Sequence, residues 1–124
     1  MIAALILFGL RLAPLYRAIA QVESERGRTS DNIYQIRPIY VKDVNRIFHM
    51  RYKMKDVLDR DKAEMIMWYY WQYYGIRYQL DTGMDPTFEV LARIHNGGPE
   101  GWRRKSTLVY WTRVKNTISK ENHK

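Results

Sequence analysis

The residue whose type and setting most plainly suit chemistry is Glu23. It follows a stretch in which Leu15, Ile19 and Val22 recur at helical spacing, and it stands directly before a segment rich in Gly, Ser, Thr, Asp and Arg. A carboxyl group at such a junction can be half buried against hydrocarbon. Burial disfavours its ionised form, raises its pKa and lets it donate a proton near neutral pH. A lone glutamate at a helix end is most often a solvated side chain, so other segments must carry the assignment. Asp31, in the following loop, and Asp43, in the next helix, are the two carboxylates placed to serve as a second acid or base. Glu25 is adjacent in sequence but is expected to point elsewhere.

Other chemistries drop out early. The chain has no cysteine, which excludes disulfides, thiolate metal ligands and a cysteine nucleophile. His49, His95 and His123 are far apart and form no metal-ligand spacing, so neither a metal nor an organic cofactor is implied.

The elements that must position Glu23 read as helices. Pro14 suits the start of the first, which ends at Glu23, and residues 24–32 read as a loop. Residues 34–36 form a short, mostly apolar piece that Pro38 interrupts, and a second helix is expected over about residues 41–48, with Val44 and Ile47 inward. A third helix has Asp61 as its cap, Glu64 as partner in a capping-box-like pair and Gly75 at its C-terminal end. Its body, residues 65–74, is apolar or aromatic nearly all round, which predicts a central buried helix. Asp85 and Pro86 open a fourth helix through Phe88, Leu91 and Ile94, closed by Gly97, Gly98 and Pro99. Ser106 can cap a last helix with Leu108, Trp111, Val114 and Ile118 along one side. Strand signals are weak, and with no linker or repeat the 124 residues read as one domain ending in a charged, frayed tail over residues 119–124. Residues 2–10 are apolar but too short to span a bilayer. They have the length of a signal-peptide core without its basic flank or cleavage site, so a leader within residues 1–12 competes with a first buried segment.

Hydrophobic residues make up 46% of the chain and charged residues 27%, a globular balance. The net charge of +8 favours anionic surfaces through weak, salt-sensitive attraction, but scattered basic residues without a framing motif give no nucleic-acid signature. An aromatic share of 14% suits a core as well as a carbohydrate cleft.

Four segments in order resemble the lysozyme-like lytic transglycosylase (SLT-type) family. Ala18-Ile19-Ala20-Gln21-Val22-Glu23-Ser24 resembles the family's helix ending in Glu-Ser, and Asn32-Ile33-Tyr34-Gln35-Ile36-Arg37-Pro38 its Gly-Leu-Met-Gln-Ile segment. Ala92-Arg93-Ile94-His95-Asn96-Gly97-Gly98-Pro99 is similar to Ala-Tyr-Asn-Ala-Gly-Pro, and Tyr110-Trp111-Thr112-Arg113-Val114 to the closing Tyr-Val-x-x-Val. Each motif is weak alone; their order and spacing, across residues 14–118, are specific. Asn32 stands where the family has Gly, and Asn tolerates the left-handed conformation better than most residues. His95 replaces a Tyr, and Gly97-Gly98 keeps the backbone open to a close ligand.

The resemblance implies a mainly α, lysozyme-like (α+β) fold, a small helical domain with a short strand or loop region beside its cleft. It implies cleavage of the β-1,4 bond between N-acetylmuramic acid and N-acetylglucosamine in peptidoglycan, by a monomer exported to the periplasm or cell wall or encoded by a phage. Glu23 would be the general acid, with Ser24, Tyr34, Gln35, Ile36, His95, Asn96, Gly97 and Tyr110 forming the substrate cleft. Gln35 also reads as a loop-anchoring amide, Asn96 as a helix C-cap, and His95 and Tyr110 as core. One carboxylate suffices for an anhydro-forming transglycosylase, whereas a hydrolase needs Asp31, Asp43 or another second acid. Phage-type lysozymes place an Asp shortly after the acid, one residue beyond Asp31, where Asn32 stands. The run Trp68-Tyr69-Tyr70-Trp71 with Tyr73-Tyr74 reads first as a core helix, from which one or two rings reach the cleft. A non-catalytic binder of cell-wall polymer or nucleic acid is the alternative, resting on Trp102 beside Arg103-Arg104-Lys105.

Overall fold

A computed structural model describes residues 11–25 and 31–122. The apolar run 2–10, residues 26–30 of the loop and the last two residues of the tail lie outside them. Among the described residues, five α-helices carry the fold: α1 (Ala13–Glu25), α2 (Pro38–Phe48), α3 (Arg60–Thr82), α4 (Phe88–Gly97) and α5 (Leu108–Asn122). Among the described residues there is no strand, and the region beside the cleft expected as strand or loop is a loop.

In α1, Pro14 occupies the second position, where a missing N–H costs nothing, and Leu15, Ala18, Ile19 and Val22 are fully buried. The start of α2 corrects the sequence reading. Pro38 is its first residue, so the proline opens the helix three positions before Val41 instead of interrupting a segment. The helix closes on His49, left-handed at φ 55°, whose N–H reaches Asn45 O.

The third helix departs furthest. Its cap is Asp59, which accepts from Lys62 N at 3.0 Å, leaving Asp61 inside the first turn. Glu64 turns away from the cap to accept from the Tyr34 hydroxyl at 2.5 Å and Arg60 Nε at 3.3 Å. Gly75 lies within the helix, where a Cβ would stand 3.4 Å from Pro86 Cγ, an ordinary van der Waals contact, and it does not end the helix. Termination falls to Gly83, at φ 74°, donating to Gln79 O at 2.7 Å. Of the two glycines, only Gly83 takes the left-handed conformation that a helix end uses.

Thr87 caps α4 by accepting from Val90 N at 3.3 Å, displacing Asp85 and Pro86 from that role. Two 3-10 turns, Gly101–Arg103 and Lys105–Thr107, lead into α5, so Ser106 sits within a turn and not at a cap. Tyr110 and Val114 form the buried face of α5, with Trp111 and Ile118 half buried, while Leu108 is exposed. Residues 119–122 continue the helix, and Glu121 pairs with Arg17 Nε at 2.6 Å; this much of the expected frayed tail is ordered helix.

α3 packs against α2 and α4, while α5 packs against α1 and α4. Trp71 is fully buried between these layers, donates to Leu91 O at 2.9 Å and stacks on Tyr16 at 5.5 Å. Full burial of each such large side chain contributes roughly 1.5–3 kcal/mol before entropy is counted. No helix among the described residues is long and apolar enough to cross a membrane.

Candidate active-site cleft

A cleft of about 490 Å³ opens where the end of α1, the loop before α2 and the end of α4 converge. Glu23, only 4% exposed, lines it from α1. One wall is Gln35, Arg37 and Ile39; the other is Asn96, Gly97, Gly98 and Pro99. Tyr40 and Asp43 on α2, Tyr70 and Tyr74 on α3, and His95 complete it.

The first wall is held by polar bonds. Asn32 makes a reciprocal pair with Ile36, donating Nδ2 to Ile36 O at 2.8 Å and accepting Ile36 N on Oδ1 at 3.0 Å. Asn32 O receives Gln35 N at 3.0 Å and Gln35 Nε2 at 2.7 Å. Gln35 therefore anchors its own loop, and it does so in the left-handed region at φ 53°. A non-glycine residue there costs on the order of 1 kcal/mol and persists only where surrounding bonds impose it.

His95 connects this wall to α4. Its Nε2 lies 2.8 Å from Tyr34 O, and its Nδ1 lies 3.1 Å from the Tyr40 hydroxyl. A carbonyl only accepts, so Nε2 carries the hydrogen and Nδ1 accepts from Tyr40. Burial pushes the imidazole pKa down to about 4, outweighing the opposing bond to Tyr34. The ring is thus neutral at physiological pH. With both nitrogens engaged, the ring ties the loop wall to α4 while lining the cleft.

Below, Tyr40 stacks on Tyr70 at 3.7 Å, and Tyr70 meets Tyr74 at 4.7 Å. The Tyr74 hydroxyl donates to Asp43, which also receives Arg46 Nη2 at 2.5 Å. Burial holds the Tyr40, Tyr70 and Tyr74 hydroxyls well above their ordinary pKa, and Asp43 raises those of Tyr70 and Tyr74 further. All three therefore stay neutral at physiological pH.

The second wall is set by close packing. A Cβ on Gly97 would lie 2.5 Å from Thr107 Cγ2, and one on Gly101 would lie 2.0 Å from Arg93 O. Arg93, 9% exposed, pins the returning chain: Nε donates to Thr107 Oγ1 at 2.8 Å, Nη2 to Arg104 O at 3.0 Å and Nη1 to Glu89 at 2.8 Å.

Of the sequence candidates, the cleft gathers Glu23, Gln35, Asp43, His95, Asn96 and Gly97. Asp31 and Ser24 are exposed and do not line it. Ile36 is core, 1% exposed, and Tyr34 contributes its carbonyl while its hydroxyl goes to Glu64. Tyr110 is buried and lines a smaller cavity of about 160 Å³ beside Asn96. Asn96 lies in the last turn of α4 and is not its C-cap, which is Gly98 at φ 89°. Sequence reasoning missed Arg37, Ile39 and Tyr40. Recognising Pro38 as the first residue of α2 would have placed Tyr40 and Asp43 three apart on one helical face. The basic cluster serves structure in part: Trp102 packs on Tyr78 at 5.0 Å, and Arg103 covers Trp102 at 4.8 Å while pairing with Glu100 at 2.6 Å. Among the described residues no group of three or more His, Asp or Glu converges as a metal site.

No protein-family model matches the chain. Segments of it are similar to curated proteins named as lysozymes. Lysozyme 1 of Crassostrea virginica is 49% identical over 43 residues, 35% of this chain and 23% of that protein. The lysozyme of Magallana gigas is 51% identical over 41 residues, 33% of this chain and 30% of that one. Invertebrate-type lysozyme 6 of Caenorhabditis elegans is 52% identical over 27 residues, 22% and 20% of the respective chains. The matched segments span less than a third of each relative's own length, 20–30%. Over about a third of its length, this mainly α chain is therefore similar to lysozymes, invertebrate-type among them.

Proposed function

We propose that the protein cleaves the β-1,4 bond between N-acetylmuramic acid and N-acetylglucosamine in peptidoglycan, with Glu23 as general acid. The observation that carries this reading is a buried glutamate opening on the same cleft as Gln35, Asn96 and Gly97. Removal from water works against the charged form of a carboxyl, which is what a proton donor near neutral pH requires. Its proton passes to the glycosidic oxygen as the C1–O bond breaks and positive charge develops on the muramyl ring. Asn96 hydrogen-bonds the sugar or its N-acetyl group, and the glycines beside it leave room for a close saccharide. The partial similarity to lysozymes supports the same substrate class.

The second step is hydrolysis assisted by Asp43. This is the other carboxylate among the described lining residues, and the Tyr74 hydroxyl and Arg46 guanidinium both donate to it. It stabilises the cationic sugar or takes a proton from the attacking water. The order of the four sequence motifs favours a second reading, in which Glu23, now deprotonated, takes the proton of the muramyl 6-hydroxyl and a 1,6-anhydro product forms without water.

Mass spectrometry of muropeptides released from peptidoglycan by the protein, by Glu23→Gln and by Asp43→Asn tests all of this. Reducing-end products abolished by Glu23→Gln and strongly reduced by Asp43→Asn are expected. Anhydro products indifferent to Asp43→Asn would transfer the mechanism to the one-carboxylate form. Cleavage that survives Glu23→Gln would remove Glu23 from its role.

A further inference from the structure

The charges lining the cleft are uneven for an enzyme of an anionic polymer. Glu23 and Asp43 are acidic, His95 is neutral, and among the described lining residues Arg37 is the one cation. Arg46, the neighbouring guanidinium, is committed to Asp43. Arg37 is exposed, makes no side-chain capping bond, and forms no ion pair or side-chain hydrogen bond with any described residue.

Its backbone, by contrast, is fixed on both sides. Ile36 is clamped by the reciprocal pair with Asn32, and Pro38 locks the first position of α2. The loop thus holds at the rim of the cleft a guanidinium that has no partner among the described residues. Ile39, 76% exposed, lines the same wall and supplies an apolar neighbour. An anchored cation beside an exposed aliphatic group matches the lactyl ether of muramic acid, which presents a methyl group and a carboxyl function together. Plain N-acetylglucosamine polymer offers neither.

We infer that Arg37 is a specificity-determining residue that binds the carboxylate carried by the muramyl unit, on its lactyl ether or its stem peptide, and biases the cleft toward muramic-acid strands over uncharged chitin-like chains. The inference rests on the glycan-cleaving reading of the cleft. A planar guanidinium can engage a carboxylate through two parallel N–H donors, which an ammonium cannot reproduce.

Calorimetric binding to the Glu23→Gln protein, with and without Arg37→Gln, tests it without turnover. Three probes are used: glycan strands stripped of peptide, intact muropeptide strands, and an N-acetylglucosamine hexamer. Arg37→Gln is expected to weaken at least one carboxylate-bearing probe by about tenfold, the scale of one charge-assisted hydrogen bond. The hexamer is expected to change by less than about twofold, within ordinary context effects on a surface substitution. A loss confined to stripped strands identifies the lactyl carboxylate, and one confined to intact strands identifies the stem peptide. Arg37→Lys should recover only part of the loss. Equal weakening of all three probes, or of none, would overturn the inference while leaving the cleft a glycan site. Failure of every probe to bind when Arg37 is intact would remove the glycan reading and the inference together.

Discussion

The two walls of the cleft are built on different physics. The loop wall, Asn32 to Arg37, stands on hydrogen bonds: the Asn32 clamp, a left-handed Gln35 and the His95 bond to Tyr34 O. The glycine wall, Asn96 to Pro99, stands on the absence of atoms, because Gly97 and the nearby Gly101 are places where neighbouring chain comes too close for a side chain. Hydrogen bonds are replaceable at about 1 kcal/mol each, whereas a steric approach to backbone has no soft alternative. The loop wall can thus be retuned, whereas Gly97 takes a side chain only if the Thr107 methyl moves and Gly101 takes none without moving backbone.

The largest effect should come from adding one methyl group to the rigid side. In Gly101→Ala the new Cβ would lie 2.0 Å from Arg93 O and 2.8 Å from Arg93 C, both backbone atoms of α4. Relief requires moving the chain that Arg93 pins, so a loss of about 3 kcal/mol is expected, at the upper end of overpacking. The urea midpoint should drop with the slope unchanged. A loss below about 1 kcal/mol would show that the glycine wall yields, and the contrast between the walls would collapse.

Acid should act on the bond between the walls. The imidazole of His95 has a pKa of about 4 when folded, against 6.5 for an ordinary histidine. Between those values the unfolded chain binds more protons, so stability is fully present above about pH 6.5 and falls as pH drops toward 4, reaching its floor below that. At 1.36 kcal/mol per pKa unit the full loss is about 3 kcal/mol. Comparison with His95→Gln, which does not titrate, isolates this term from the carboxylates. Wild-type and variant midpoints moving in parallel from pH 7 to 4.5 would show that His95 does not link the walls in this way.

Much of this was legible in the sequence, for reasons that differ between elements. The apolar stripe of α1 ending at Glu23 is a local pattern, and its burial follows from helical spacing. The all-round apolar body of α3 announced a central helix, but not its length, because Gly75 looks like a stop whereas the helix runs through it to Gly83. The motifs located Gln35, Asn96 and Gly97. They did not reveal that Tyr34 and Ile36 face inward, since alternate residues of an irregular loop follow no period. The bonds of His95 were also hidden, because its partners lie 55 and 61 residues away. Arg37 escaped notice because an exposed arginine beside a motif has no pattern of its own.

The smallest stability effect is expected at the most strained residue of the loop wall, and there it should part company with activity. Replacing Gln35 by glycine releases the cost of a left-handed side chain, on the order of 1 kcal/mol. It also removes the Nε2 bond to Asn32 O and adds backbone freedom to the unfolded chain, together costing about 1–2 kcal/mol. These nearly cancel, leaving a net loss within about 1 kcal/mol. The amide that lines the cleft is nonetheless gone, so cleavage of peptidoglycan should fall by at least about tenfold, the loss of one well-placed hydrogen bond in the transition state. Measured side by side, an unchanged unfolding midpoint with depressed turnover would mark Gln35 as a strained residue kept for its site. A large stability loss with turnover per folded molecule intact would make it a structural anchor, and the loop wall would then be as unyielding as the glycine wall opposite.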